Sequence, residues 1–195
     1  MKEKPILSVW LLFVFLASLV LSACSGGAST PSGSFVGKVD GSDAFISVVV
    51  HANGEVTAYV CDGADISEWF KGTADGSSLD LTNANGASLT ATLSANSASG
   101  TFTPAGDSAL NFSAEIASEP AGLYRADLTY ENTAYVGGWI VLPDGDQRGS
   151  IVGGGRTFSG SSLSTSTKTV TPGSDWIDPT PDPITVGWID PDTDP

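Results

Sequence analysis

Ala44-Phe45-Ile46-Ser47-Val48-Val49-Val50-His51-Ala52-Asn53-Gly54-Glu55-Val56-Thr57-Ala58-Tyr59-Val60-Cys61 is the stretch that decides the fold. Two β-branched runs, Ala44 to His51 and Glu55 to Cys61, flank Ala52-Asn53-Gly54. A three-residue loop pairs Val50 with Val56, Val48 with Ala58 and Ile46 with Val60, which makes one face wholly apolar. The same device recurs downstream, where Leu79 to Asn83 and Ala87 to Leu93 flank Ala84-Asn85-Gly86. A two-residue loop there would pair Leu81 with Thr90 and Leu79 with Thr92, mixing apolar and polar on each face. A three-residue loop pairs Leu81 with Leu89 and Leu79 with Ala91. Both hairpins are therefore expected to turn through three residues, with Gly54 and Gly86 left-handed in a type I turn plus bulge. Ile46, Val48, Val50, Val56, Ala58, Val60, Leu79, Leu81, Leu89 and Leu93 should then share one core. The opposite face of the first hairpin sets His51 against Glu55, Ser47 near Tyr59 and Phe45 near Cys61. It is polar at the turn and apolar at the far end, so it is expected to be half covered.

Outward from these hairpins, short β-branched and aromatic runs recur between Gly, Asn, Asp and Ser from Phe35 to about Ile151. No stretch after the first two dozen residues keeps a 3.6-residue apolar period for three turns. The expected fold is all-β: an antiparallel meander closing into a barrel or a flattened sandwich, with one core. Trp69-Phe70-Lys71-Gly72, Gly100-Thr101-Phe102, Leu110 to Glu115, Leu123 to Tyr130, Ala134 to Leu142 and Gln147 to Val152 supply further strands. A loop at Pro143-Asp144-Gly145 sets Trp139 opposite Gly149, an aromatic covering a glycine. Ala121-Gly122-Leu123-Tyr124-Arg125 with Tyr135-Val136-Gly137-Gly138-Trp139-Ile140-Val141-Leu142-Pro143-Asp144-Gly145 resembles a block of uncharacterised secreted bacterial β domains. The resemblance covers residues 121–149 and implies no activity.

The N-terminus points to an address. Lys2 and Lys4 precede an apolar run from Ile6 to Leu21, closed by Leu21-Ser22-Ala23-Cys24. This resembles the bacterial lipoprotein signal, whose box is Leu, a small residue, Ala or Gly, then Cys. The resemblance implies a signal peptide over residues 1–23 and cleavage before Cys24. Its thiol would then carry a diacylglyceryl group, and the new amine a further acyl chain such as palmitate. An uncleaved membrane span is the competing reading, but sixteen residues fall short of the roughly 20 that a spanning helix needs. Lipid chains anchor at about 0.8 kcal/mol per buried methylene, and two or more hold stably. Ser25, where an Asp resembles an inner-membrane retention signal, favours the outer membrane in a cell that has one. The expected setting is the cell envelope, extracytoplasmic, with residues 24–34 as a flexible Gly/Ser tether.

The chain has 22 acids against 8 bases and a formal charge of −14. Residues 1–23 hold two of those bases and one of those acids, so the chain from Cys24 onward is still more acidic. Such a surface repels nucleic acid and anionic headgroups. With Cys24 lipidated, Cys61 has no partner and reads as a buried apolar thiol rather than a nucleophile. His51, the single histidine, reads as a loop-edge residue beside a carboxylate, with no companion for a metal or acid-base role. No metal-ligand spacing, nucleophile elbow, phosphate loop or dinucleotide fingerprint occurs, and Gly153-Gly154-Gly155-Arg156 reads as a flexible exit. No catalytic residue, metal or cofactor is assigned.

After the domain at residues 35–153, residues 154–171 read as a Gly/Ser/Thr linker. Residues 172–195 read as a disordered acidic tail with a tandem repeat. Its copies are Trp176-Ile177-Asp178-Pro179-Thr180-Pro181-Asp182-Pro183 and Trp188-Ile189-Asp190-Pro191-Asp192-Thr193-Asp194-Pro195, identical at six of eight positions. Asp190, Asp192 and Asp194 echo the start of a calcium loop, but Pro195 stands where its glycine belongs. The repeat is expected to be an extended arm, with Trp176, Ile177, Asp178, Trp188, Ile189 and Asp190 as contacts for a partner. The function expected is a non-enzymatic binding or interaction module whose protein or small-molecule partner is unknown. A structural envelope lipoprotein, or an enzyme of unfamiliar type, are the alternatives. Cys24→Ser should release the protein from membranes or stall its processing. A mature, fully membrane-bound protein in that variant would overturn the anchor.

Overall fold

The two Asn-Gly hairpins form in the register their apolar faces dictate. The structure is a computed structural model that describes residues 30–171 and 183–193. The stretch expected to be a signal peptide, with Cys24, Trp176, Ile177 and Asp178, lies outside the described residues. Strands are numbered in chain order. β2 (Phe45–Val50) and β3 (Glu55–Cys61) pair Val50 with Val56, Val48 with Ala58 and Ile46 with Val60. β5 (Ser78–Thr82) and β6 (Ser88–Leu93) pair Leu81 with Leu89 and Leu79 with Ala91. Gly54 and Gly86 sit at φ 85° and 88°, the left-handed values that a β-carbon resists.

β1 (Gly33–Val39), β4 (Ser67–Thr73), β7 (Ser97–Thr103) and β8 (Leu110–Ala117) complete an eight-stranded antiparallel sheet in the order β4-β3-β2-β1-β8-β7-β6-β5. Every strand but β4 pairs with its successor, and β8 returns to β1, so the meander nearly closes into a barrel. Gly37 and Gly100 face inward at tight corners. A β-carbon on either would strike the backbone of the next strand, at Ser113 and Thr90 respectively. The open seam lies between β4 and β5. There Leu81 packs over Gly72, and the Asn83 carboxamide donates to Glu68 Oε2 at 2.5 Å and to the Trp69 carbonyl at 3.3 Å. The interior is filled by the side chains foreseen for it, joined by Phe35, Phe70, Phe102 and Phe112.

β9 (Gly122–Tyr130), β10 (Thr133–Val141), β11 (Gln147–Gly153) and β12 (Arg156–Ser159) form a second meander. Trp139 lies opposite Gly149, whose missing side chain leaves the space the indole fills. This sheet lies against the outside of the barrel. Leu123, Ile140 and Leu142 meet Val36, Phe45, Val49, Tyr59 and Cys61 there. The outer face of the first hairpin is thus buried except at Glu55 beside the turn, more than half covered, and His51 is buried with it. The alternating burial of β5 and β6, in contrast, marks strands with one face in water.

Three boundaries differ from expectation. Gly33 and Ser34 belong to β1 rather than to the tether. Residues 154–171 are not a linker. They hold β12, β13 (Leu163–Ser164) and β14 (Thr169–Val170), and Phe158, Leu163 and Val170 are buried against Trp139 and Ile151 in a third cluster. The tail is not a free arm over its described part either. β15 (Ile184–Thr185) pairs with β14, and β16 (Gly187–Trp188) pairs with β9. In both segments single apolar residues, well spaced in a polar string, plug an existing surface. One core becomes three clusters, and the all-β architecture stands.

Val48 is fully buried at the barrel centre. Val48→Asp should remove on the order of 4 kcal/mol or more, because an unpaired charge adds to lost packing. A denaturant midpoint within experimental error of the parent protein would refute this packing.

Candidate functional site

The layer between barrel and second sheet is built around three hydroxyls. The Tyr59 hydroxyl lies 2.9 Å from Ser67 Oγ and 2.8 Å from Ser150 Oγ, and Ser150 donates to Ser67 at 2.7 Å. Three donors and three bonds close a ring, so a buried polar cluster leaves no proton unused. Tyr59 and Ser67 come from adjacent barrel strands and Ser150 from β11, which fixes how the layers sit. Burial pushes the Tyr59 phenol well above its ordinary 10.0, and nearby Cys61 adds to the rise. Burial also raises the Cys61 thiol, which accepts from the Gly63 N–H at 3.2 Å. Held neutral, these groups are poor bases and nucleophiles. Cys61 is the inert core thiol that its strand setting implies.

Beside this ring a cleft of about 340 Å³ opens over the barrel seam. Ser67 and Trp69 of β4, Asn85 of the β5–β6 turn and Arg125 of β9 line it, with Val136 and Val152 as an apolar wall. Trp69 stacks on Tyr59 at a centroid separation of 4.2 Å and carries the Arg125 guanidinium 4.8 Å above its other face. Arg125 is clamped in turn by Asp127, Nε to Oδ2 at 2.8 Å and Nη2 to Oδ1 at 2.6 Å. That pairing holds the Asp127 carboxyl below its ordinary range. Asn85 donates to Glu68 Oε2 at 3.0 Å, beside the bond from Asn83. The donors and acceptors are thus braced before anything binds. Trp69 Nε1 has no hydrogen-bond partner. None of these residues carried a signal at the sequence level: positions 67, 69, 85, 125, 136 and 152 share no spacing, and only the seam assembles them.

The residues expected to contact a partner fare differently. Trp188 is partly buried against the second-sheet cluster and Ile189 against the interlayer cluster. Asp190 stabilises a local turn, accepting from the Asp192 N–H at 2.9 Å. His51 sits at the edge of the β2–β3 loop beside Glu55, as expected, but is buried there, with Nδ1 2.7 Å from the Thr193 carbonyl. Among the described residues, no group of three or more His, Cys, Asp or Glu side chains could hold a metal ion.

No family model matches the chain, and no curated protein or solved structure is detectably similar to it.

Tyr59, Cys61 and Tyr124 all have raised pKa values in the folded state, Tyr124 to about 12 through burial and the Glu119 carboxylate. Above the ordinary thiol value the unfolded chain loses protons that the folded chain keeps, so stability falls as pH rises. The melting temperature should show no loss from these groups below about pH 8 and fall progressively above about pH 9. In Cys61→Ala the onset should move toward the tyrosine range. A melting temperature flat to pH 11 would contradict this account.

Proposed function

We propose that the chain is a lipid-anchored, extracytoplasmic β module that binds a ligand in the seam cleft and does not transform it. The observation that carries this reading is the braced cleft itself, where an aromatic edge, a hydroxyl, a carboxamide and an apolar wall converge. A ligand in the barrel mouth, the usual place for a small barrel, is disfavoured by an interior packed with aromatic and branched side chains. The chemistry of the lining favours a neutral, hydroxyl-bearing ligand such as a glycan segment. An anion would meet Glu68 and Asp127, and a strong cation would meet Arg125. A sugar offers both donors and acceptors to prepaired groups, and its C–H face suits the indole edge and valines.

Topology supports the same reading. β1 begins at Gly33, opposite Val50, so the tether leaves the barrel at the end that bears the β2–β3 turn. Ser67 and Asn85 come from the opposite end, beyond Cys61 and Thr82. A chain held by lipid on Cys24 would therefore present the cleft away from the membrane. Eight residues, 25–32, separate Cys24 from Gly33, enough for a spacer of roughly 30 Å when extended.

A glycan array probed with the full chain tests this reading. Neutral oligosaccharides should bind and perturb the tryptophan emission. Asn85→Ala and Ser67→Ala should each weaken binding by up to about tenfold, Asn85→Ala with an unchanged melting temperature. Failure of every neutral glycan to bind, or binding untouched by both substitutions, would remove the proposal.

A further inference from the structure

The docked tail occupies a groove of its own, distinct from the cleft. Its walls are the start of β9 and the β2–β3 turn. Gly187 and Trp188 pair with Arg125 and Tyr124, and the Ile189 N–H donates to the Leu123 carbonyl at 2.8 Å. The Ala52 N–H donates to the Pro191 carbonyl at 3.1 Å, and His51 Nδ1–H to the Thr193 carbonyl at 2.7 Å. The Trp188 indole lies where a β-carbon on Gly122 would fall, so that glycine is the slot for the ring. The edge of β9 is thus extended by a short added strand, with side-chain pockets supplying selectivity.

Nearly every one of these contacts uses a backbone group or a side chain that the first copy of the repeat duplicates. Trp176, Ile177, Asp178 and Pro179 match Trp188, Ile189, Asp190 and Pro191. Asp175 stands where Gly187 does. Gly187 is not left-handed, and a β-carbon there would meet nothing nearer than the Arg125 carbonyl at 3.9 Å, so a side chain fits. The Pro181 carbonyl can replace that of Thr193. What the first copy cannot reproduce is the pair of bonds from the Thr193 N–H and Oγ1 to the Asp190 carbonyl, at 3.3 and 3.1 Å. It would also free Val186 and β15 from β14. These differences favour the second copy without excluding the first. The docked state is also imperfect: Trp188 Nε1 and His51 Nε2 are buried without partners. A segment that leaves buried polar atoms unpaired is held below its maximal strength.

We propose that this groove is a binding site for an extended Trp-Ile-Asp-Pro peptide, and that the chain carries two ligands for it. The second copy is the resident, and Trp176 to Pro179 is the alternative occupant. Reach permits the exchange. Val170 of β14 lies beside Ile184, three residues before Gly187, and the five steps from Val170 to Asp175 can span up to roughly 17 Å.

The Ala52 amide reports occupancy whichever copy is docked, because it donates to a proline carbonyl present in both. In full-length protein, Trp188→Ala should change its hydrogen-exchange protection less than about threefold, since the first copy takes over. Trp176→Ala together with Trp188→Ala should lower that protection by about tenfold or more. Synthetic peptides spanning residues 175–183 and 187–195 should both bind the doubly substituted chain, and versions with Ala for Trp should not. Trp188→Ala alone losing as much protection as the double variant, or the 175–183 peptide failing to bind, would overturn the proposal. If the double variant does not fold, the 175–183 peptide is added in excess to the parent chain. Displacement, read as quencher access to Trp188, supports the proposal, and none refutes it.

Discussion

Everything outside the barrel exists because β1, β2 and β3 are apolar on both faces. Phe45, Val49, Tyr59 and Cys61 point away from the barrel interior and would otherwise face water. At about 25 cal/mol per Å², leaving several such side chains bare would cost a domain of this size much of its net stability. The second sheet removes them from solvent, and its own far face must then be covered in turn. Leu163 of β13, Val170 of β14, Val186 and Trp188 do that. The chain therefore folds as a succession of covers, each element burying the exposed face of the one before. The hydroxyl ring of Tyr59, Ser67 and Ser150 sits at the first of these contacts. It supplies directional specificity that the surrounding aliphatic contacts lack.

That logic accounts for what the sequence disclosed and what it concealed. The barrel register was legible because alternation and three-residue turns fix it: a one-residue slip would turn Val48 and Val50 outward. The layering was not, although Phe45-Ile46-Ser47-Val48-Val49-Val50 carries the clue. A strand without strict alternation is one buried on both faces. The strands after Gly153 escaped notice because Phe158, Leu163, Val170 and Val186 are isolated in Ser, Thr, Gly and Pro. Local composition says linker, while each single side chain fills a hole that other elements have already made. The cleft is concealed for another reason: its residues meet only across the seam, where no continuous stretch of chain runs.

The seam is also where the barrel solves its edge problem. An open pair of strands would template aggregation. β4 and β5 are instead bridged by Leu81 over Gly72 and by Asn83 reaching Glu68 and the Trp69 carbonyl. Side chains close what the ladder does not, and the gap left over them is the cleft. On the second sheet, β16 covers only the first residues of β9, so edge protection and peptide docking are the same contact.

Charge ties these features together. Six bases follow residue 23, and four of them lie over aromatic rings: Lys38 and Arg148 on Phe45, Arg125 on Trp69 and Arg156 on Phe158. A fifth, Lys168, pairs with Glu119 at 2.6 Å. A guanidinium held on a ring and clamped by a carboxylate is less available to an incoming anion than a free one. Most of the chain's few cations are thus already engaged by a ring or a carboxylate, Lys38, Arg156 and Lys168 while still exposed, and acids outnumber bases on the surface. Arg125 shows the consequence most clearly, since Trp69 and Asp127 already satisfy it at the mouth of the cleft. Its presence there stiffens the indole platform and does not create an anion site. A neutral ligand is the one kind that neither this clamp nor the acidic field outside it turns away.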